Sequence, residues 1–85
     1  MRIYMQIPAI DGKAPRFYQL ALQQDLISGW NLVREWGQSG SAGKIKKDHF
    51  NDHQSALDAL IRVRDTQLKR GYKVVFLQGQ DILHG

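Results

Sequence analysis

Apolar and polar side chains alternate with a period of two in two neighbouring segments of the chain. In Arg16–Gln23 the side chains of Tyr18 and Leu22 share one face, and Trp30–Trp36 repeats the pattern. A period of two is that of a β-strand with one buried face. Ser28-Gly29 lies between the two segments and is typical of a turn. The pattern therefore predicts two strands joined as an antiparallel hairpin.

Three further segments have the composition of short strands. Ile3–Ile7 precedes the hairpin, Lys44–Phe50 follows it, and Tyr72–Leu77 lies near the C-terminus. In the middle one of these, Ile45 and Phe50 have opposite parity, so a regular strand cannot turn both toward one face. We therefore expect a bulge or an early strand end there.

One helix is predicted, beginning near Asn51. Its apolar side chains recur at helical spacing and form one broad stripe: Ala56, Leu57, Leu60, Ile61, Val63 and Leu68. Asn51 or Asp52 can serve as the N-cap, because a short polar side chain can accept hydrogen bonds from the first turn. Gly71 stands where a left-handed C-cap is expected.

The elements follow the order β, β, β, β, α, β, which predicts an α+β fold in a single domain, residues 1–85. One helix cannot bury its stripe alone, so we expect it to pack across one face of a twisted antiparallel sheet. The opposite face, or the loop-bearing edge of the sheet, would then be free for recognition. Residues 78–85 are expected to form a frayed tail with a docking turn at Asp81–Leu83.

Composition and charge limit the function classes. The chain has 85 residues, no cysteine, a formal net charge of +4 and a pI of about 9.7. Without cysteine, neither a disulfide nor a thiolate metal site can form. No apolar run is long enough for a membrane span or a secretory signal, so we expect a cytoplasmic protein without membrane contact. The positive charge favours an anionic partner that meets a folded surface.

Basic residues are expected to surround Trp36, an indole at the end of a predicted strand. The five are Arg34, Lys44, Lys46, Lys47 and Lys73. Basic side chains around an aromatic ring are typical of nucleic-acid binding, and an indole can stack on a base. Two alternatives stay open: Trp36 can be a core residue, and the lysines can belong to a solvated edge strand that avoids pairing.

A loop rich in glycine, Gly37–Gly43, follows Trp36. It can present backbone N–H groups to a phosphate, or it can be a plain hairpin loop. No Gly-Lys-Ser/Thr sequence follows, so the loop is not a P-loop.

The ordered set Gly29-Trp30, Trp36-Gly37-Gln38 and Gly71-Tyr72 resembles the WGR domain, a module named for a Trp-Gly-Arg motif. The family occurs in poly(ADP-ribose) polymerases and in bacterial proteins, and the resemblance covers residues 16–73. It implies a sheet-and-helix fold and non-catalytic binding to DNA ends or breaks. It also implies that the motif Trp packs against a terminal nucleotide.

By this resemblance Trp36 takes the stacking role, whereas Gln38 stands where the motif has Arg. Glutamine carries one uncharged amide, so its polar contact is weaker than that of a guanidinium. The residues expected to bind nucleic acid are Trp36, Gly37, Gln38, Gly40, Arg34, Lys44, Lys46, Lys47 and Lys73.

Enzymatic and metal-dependent functions find no support in the sequence. The eight carboxylates are scattered, and no nucleophile–base arrangement is recognisable. His49 and His53 are four apart but have no evident third ligand, so neither a metal nor a cofactor is expected. The alternative to nucleic-acid binding is a protein–protein interaction module that keeps the WGR fold, with Trp36 as the anchor. The sequence leaves the oligomeric state open.

Overall fold

The computed structural model describes residues 1–79 and contains five strands and one helix in the predicted order. Their bounds are β1 (Arg2–Ile7), β2 (Arg16–Gln24), β3 (Trp30–Gln38), β4 (Lys44–Phe50), α1 (His53–Lys69) and β5 (Lys73–Gln78). Gln78, expected at the start of the tail, is the last residue of β5. Gly79 follows it, and the remainder of that tail, residues 80–85 with the docking turn predicted at Asp81–Leu83, lies outside the described residues.

All five strands belong to one antiparallel sheet in the order β4-β3-β2-β1-β5. Strands β1 to β4 lie beside their sequence neighbours, whereas β5 returns after the helix and pairs with β1 at the far edge. Helix α1 packs across one face, over β2, β3 and β4. The predicted α+β class is therefore confirmed. In the part of the chain that the structure describes, no helix is long and apolar enough to cross a membrane.

The core lies between α1 and the face of the sheet that carries Tyr18 and Leu22, as the alternation in β2 predicted. Its fully buried large side chains come from four elements: Ile3, Met5, Leu20, Leu32 and Leu60. Removing one such side chain from water contributes about 1.5–3 kcal/mol to folding. The odd-numbered residues of β1 and the even-numbered residues of β2 and β3 therefore face α1.

Both ends of α1 are capped by local hydrogen bonds. Of the two predicted N-caps the structure uses Asp52, whose carboxylate accepts a hydrogen bond from the Ser55 N–H at 2.8 Å. At the other end Gly71 has a φ of +103°, and the Tyr72 N–H donates to the Gln67 carbonyl at 3.1 Å. This is the Schellman arrangement, in which glycine relieves the steric cost of the left-handed residue. The predicted C-cap is confirmed.

The irregularity expected in β4 is absent. Its pairing with β3 is regular from Trp36, opposite Lys44, to Trp30, opposite Phe50. Phe50 packs against the core, whereas Ile45 points to the other side of the sheet and is 68% exposed. The parity argument was wrong because it assumed that both apolar residues face the core.

A bulge occurs instead in β5, the free edge beside β1. Tyr4 lies opposite Phe76 and Met5 opposite Val74, so Val75 is the extra residue. Because α1 packs over the other half of the sheet, the apolar residues of β5 stay accessible. Residues 74 to 77 each expose between 45% and 61% of their surface.

Candidate functional site

A cleft of about 540 Å³ opens between the C-terminal half of α1 and the sheet. Three arginines and three aromatic residues contribute to its lining: Arg16, Arg34, Arg70, Tyr18, Trp36 and Tyr72. No aspartate or glutamate is among the described residues that line it. The cleft is therefore a positively charged recess with an aromatic wall.

The aromatic wall is built by cross-strand pairing between β2 and β3. Tyr18 and Trp36 are direct partners, and their rings stack with centroids 5.5 Å apart and planes inclined by 11°. Tyr72, just after the helix cap, meets Tyr18 edge-on at 5.9 Å. Trp36 is half-buried and packs against the core. Its indole is thus both a packing residue and part of the cleft surface, and its stacking on Tyr18 fixes its orientation.

Arg34 lies beside Trp36, and only some of its hydrogen-bond donors have an acceptor among the described residues. Its Nη2 donates to Oδ2 of Asp48 at 3.3 Å, and the carbon of its guanidinium lies 6.0 Å from the centre of the Trp36 ring. The side chain of Arg34 is 20% exposed. Its Nε is buried and finds no acceptor among residues 1–79. One long contact to one carboxylate leaves most of the donor capacity of this guanidinium unused.

Arg16 and Arg70 complete the positive charge of the cleft. Arg16 begins β2 on the face that packs against α1, and Arg70 is the C-cap residue of α1. Neither forms an ion pair with any residue in the described range. The two come from opposite ends of the domain sequence, and the packing of α1 on the sheet brings them to one recess.

Two of the predicted lysines lie near the cleft. Lys44 is opposite Trp36 and Lys46 is opposite Arg34, so both project from β4 on the side that carries α1. Both are exposed. Arg34, Trp36, Lys44 and Lys46 therefore form one continuous surface, as the sequence predicted for these four.

The structure separates two other predicted residues from this surface. Lys47 is opposite Val33 and points to the face of the sheet away from α1. Lys73 begins β5, at the edge of the sheet opposite β4. These two lysines are not brought together with Trp36.

Backbone conformation and close packing explain why three positions of the loop after Trp36 are glycine. Gly40 has a φ of +87°, which favours glycine. A Cβ at Gly43 would lie 2.6 Å from the Trp36 carbonyl oxygen, and one at Gly37 would lie 3.1 Å from the Cα of Gly43. The Ser41 hydroxyl donates to the Gln38 carbonyl at 2.9 Å. These contacts explain why a tight hairpin loop needs glycine at these three positions.

Two cleft residues were missed by sequence reasoning. Arg16 shares the parity of Tyr18, which places it on the same face of β2, and this parity is the signal that could have identified it. Arg70 directly precedes Gly71, the predicted C-cap position, and is not among the predicted binding residues. Its spacing of four residues from Thr66 and three from Gln67 places it on their side of a helical projection, and both of those residues line the cleft.

The two carboxylates with displaced pKa values lie outside the cleft. The backbone N–H of Ile27, then the amide of Asn31, lower the pKa of Asp25 in the β2–β3 turn. The backbone N–H of Ser55 lowers the pKa of Asp52 at the start of α1. Both shifts follow from hydrogen bonds to the ionised form, and both belong to turns and caps.

His49 and His53, the pair with metal-ligand spacing, are also engaged in structural contacts. The Nε2–H of His49 donates to the Ser28 carbonyl at 2.8 Å, and the His53 ring meets Trp30 edge-on at 4.6 Å. Among residues 1–79 there is no group of three or more metal-ligating side chains.

The sheet, the helix and the charged aromatic cleft define a small α+β binding domain. The WGR domain matches residues 1–77, and the chain belongs to this family. WGR domains are nucleic-acid or protein interaction modules. The chain is similar to the uncharacterized protein y4dW of Sinorhizobium fredii, with 25% identity over 72 residues. That match covers 85% of this chain and 35% of the relative. No solved structure matches significantly.

Proposed function

We propose that this domain binds DNA at ends or breaks, with the terminal nucleotide in the cleft. The observation that carries the proposal is the convergence of Arg16, Arg34 and Arg70 on the Tyr18–Trp36 stack. Guanidinium groups suit phosphate because their planar fork donates two parallel hydrogen bonds. An aromatic ring beside them can stack on a base or ribose, which is worth about 1–3 kcal/mol per base.

The shape of the cleft favours a chain end over the side of a duplex. Its volume of about 540 Å³ falls within the range of about 300–1,000 Å³ for pockets that enclose one small molecule. The backbone of an intact duplex is convex and continuous, so we expect its side to meet Lys44 and Lys46 on β4 instead of filling the recess. A terminal nucleotide can enter it.

Arg16 supports this function despite the change in the WGR motif. Gln38 occupies the motif position of Arg, and Arg16 is its direct cross-strand partner. Direct partners in an antiparallel pair have Cβ atoms about 5 Å apart. A guanidinium therefore remains beside the motif position, now supplied by β2.

The first test is fluorescence anisotropy with two labelled duplexes of the same sequence. One has an open 5′-phosphorylated end and the other is closed by hairpins at both ends. The proposal expects tighter binding to the open end. Equal affinities that both fall with added salt would contradict end recognition and leave only a basic surface.

A matched pair of variants tests the cleft itself. Arg70→Ala removes one charge from the cleft lining, and Arg62→Ala removes one charge from an exposed position of α1 outside it. We expect Arg70→Ala to weaken binding to the open end by about tenfold, since a hydrogen bond to a charged group contributes about 1.5 kcal/mol or more. Arg62→Ala should change it by less than about twofold. Equal effects would exclude the cleft as the site.

A second candidate function is that of a protein interaction module, the other role of WGR domains. The free edge of β5 and the exposed apolar residues 74 to 77 favour it, because an extended segment of a partner can add a strand to an open sheet edge. Binding of this kind would be insensitive to salt, whereas phosphate contacts weaken steeply with salt. Absence of duplex binding at low salt would favour this function.

A further inference from the structure

The face of the sheet away from α1 carries a row of aromatic side chains across β5, β1 and β2. Ile3 and Met5 are buried toward α1, so Tyr4 between them points to the other face. Phe76 is the direct partner of Tyr4 in β5 and is 51% exposed. In β2, Phe17 lies diagonally across from Tyr4. We call Tyr4, Phe17 and Phe76 the aromatic row.

Two rings of this row are already ordered. Tyr4 and Phe17 are nearly parallel, with planes inclined by 6° and centroids 6.2 Å apart. A ring held in this way loses little side-chain freedom when another planar group stacks on it, so binding costs less entropy. Both rings are only half-buried and so keep part of their surface accessible.

Cations lie on both sides of the aromatic row on the same face. Arg2 precedes Tyr4 by two residues in β1, and Lys73 is the direct partner of Gln6. Both are exposed, and neither forms an ion pair with residues in the described range. Lys47 adds a third cation on this face at β4, whereas Glu35 is the acidic residue that the register of β3 places there. This face of the sheet is therefore positively charged around the accessible rings of the aromatic row.

We propose that this face binds single-stranded nucleic acid, with bases stacked on the aromatic row and phosphates against Arg2 and Lys73. Exposed rings with flanking cations are the combination that holds unpaired bases without reading their sequence. An aromatic row on a sheet surface can hold about two or three bases. The site lies on the opposite side of the sheet from the cleft and does not rest on the proposed function of the cleft.

The chemistry of this face distinguishes it from the edge of β5. Lys73 and Arg2 would oppose burial in an apolar protein interface because desolvating an unpaired charge is costly. Phosphates supply the missing partner charge. Phe76 is the most exposed residue of the aromatic row, so replacing its ring is the most direct test of the proposal.

The test uses a circular labelled oligo(dT), which has neither a duplex nor an end. Fluorescence anisotropy at low salt should show binding, and Phe76→Ala should weaken it by about tenfold, as expected for one lost stacking contact. Val75→Ala is the matched control, since it truncates the neighbouring residue of the same edge strand, which is 61% exposed. The control should bind as tightly as the unchanged protein. Thermal unfolding of both variants confirms that the fold is kept.

A second variant keeps the test decisive if Phe76→Ala unfolds. Lys73→Gln keeps the size of an exposed side chain and removes its charge, and it should lower the salt dependence of binding to the circle by about 0.7 in the logarithmic slope, as for one phosphate contact to a single strand. Arg70→Ala in the cleft should leave binding to the circle unchanged. Failure to bind the circle, or an equal loss in Phe76→Ala and Val75→Ala, would overturn the proposal. Neither outcome bears on the preference for open duplex ends, so the proposal for this face and the proposal for the cleft are tested independently.

Discussion

At the scale of the residue, Trp36 combines core packing with a position on the cleft surface. Its ring stacks on Tyr18 and contacts the core, and it also lines the cleft. The sequence presented these as alternatives, and the structure shows that Trp36 is half-buried. A half-buried ring can be oriented by the core and still present surface to a ligand.

Replacing Trp36 should therefore cost stability as well as binding. We expect Trp36→Ala to lower the free energy of unfolding by about 2 kcal/mol, less than the 3–5 kcal/mol of a fully buried large aromatic. Urea unfolding measures this loss. Trp36→Phe keeps a ring to stack on Tyr18 and should recover most of the stability. An unchanged stability in Trp36→Ala would show that the stack with Tyr18 does not contribute to folding.

Gly29 is a residue whose identity is fixed by both conformation and space. Its φ is +77°, and a Cβ there would collide with the Phe50 carbonyl oxygen and lie 2.9 Å from Nε2 of His49. Gly29→Ala should destabilise the domain by about 3 kcal/mol, since strain and a backbone clash add. Gly40→Ala is the control, because Gly40 has a φ of +87° and open space around it. It should cost only about 1 kcal/mol. Thermal unfolding separates the two, and similar losses would contradict the role of the Phe50 contact.

At the scale of the element, short polar side chains fix where strands and helix begin. Asp25 accepts hydrogen bonds from the N–H of Ile27 and the amide of Asn31, both at 2.8–2.9 Å, and so orders the β2–β3 turn. Asp52 caps α1. In each case the carboxylate is the acceptor, so the stability of the element depends on its ionisation.

Acid should weaken these two elements. The folded-state pKa of each carboxylate lies below its ordinary value of 3.8. The ionised form therefore stabilises the fold above that value, and the stabilisation is lost as the pH falls through the folded-state pKa. Urea unfolding at a series of pH values from about 5 to about 2 measures the loss. Asp52→Ser keeps a capping oxygen that does not titrate and should flatten the acid limb. An equally steep limb in this variant would contradict the assignment to Asp52.

At the scale of the whole molecule, the sheet distributes the positive charge over two faces. Lys44 and Lys46 lie on the side of α1 and the cleft, whereas Lys47 lies on the other side and Lys73 at the far edge. All four contribute equally to the net charge of +4. Their effects on duplex binding should nevertheless differ, because salt-dependent affinity follows the phosphates that are contacted.

Two double variants with the same net charge measure this difference. Lys44→Ala with Lys46→Ala should lower the logarithmic salt slope for the open duplex by about 0.9 for each phosphate contact removed. Lys47→Ala with Lys73→Ala should leave that slope nearly unchanged. Equal slopes for the two double variants would show that the duplex responds to total charge and not to the surface beside the cleft.

Much of the fold could be predicted because its signals are local. The alternation in β2 and β3, an N-cap at Asn51 or Asp52 and the position of Gly71 each depend on residues a few positions apart. The regular course of β4 could not be predicted, because the exposed Ile45 looks in sequence like a core residue. Apolar character alone does not say which face of a sheet is covered.

The sequence by itself determined the strands, the helix, its caps and the positive charge, since periodicity and short-range hydrogen bonds act within one segment. Only the tertiary structure decided which basic residues meet. The register of β4 on β3 places Lys46 beside Arg34 and turns Lys47 away, and a shift of one residue would reverse them. The packing of α1 on the sheet brings Arg70 to Arg16. The cleft therefore depends on long-range pairing and packing, which a single sequence does not display.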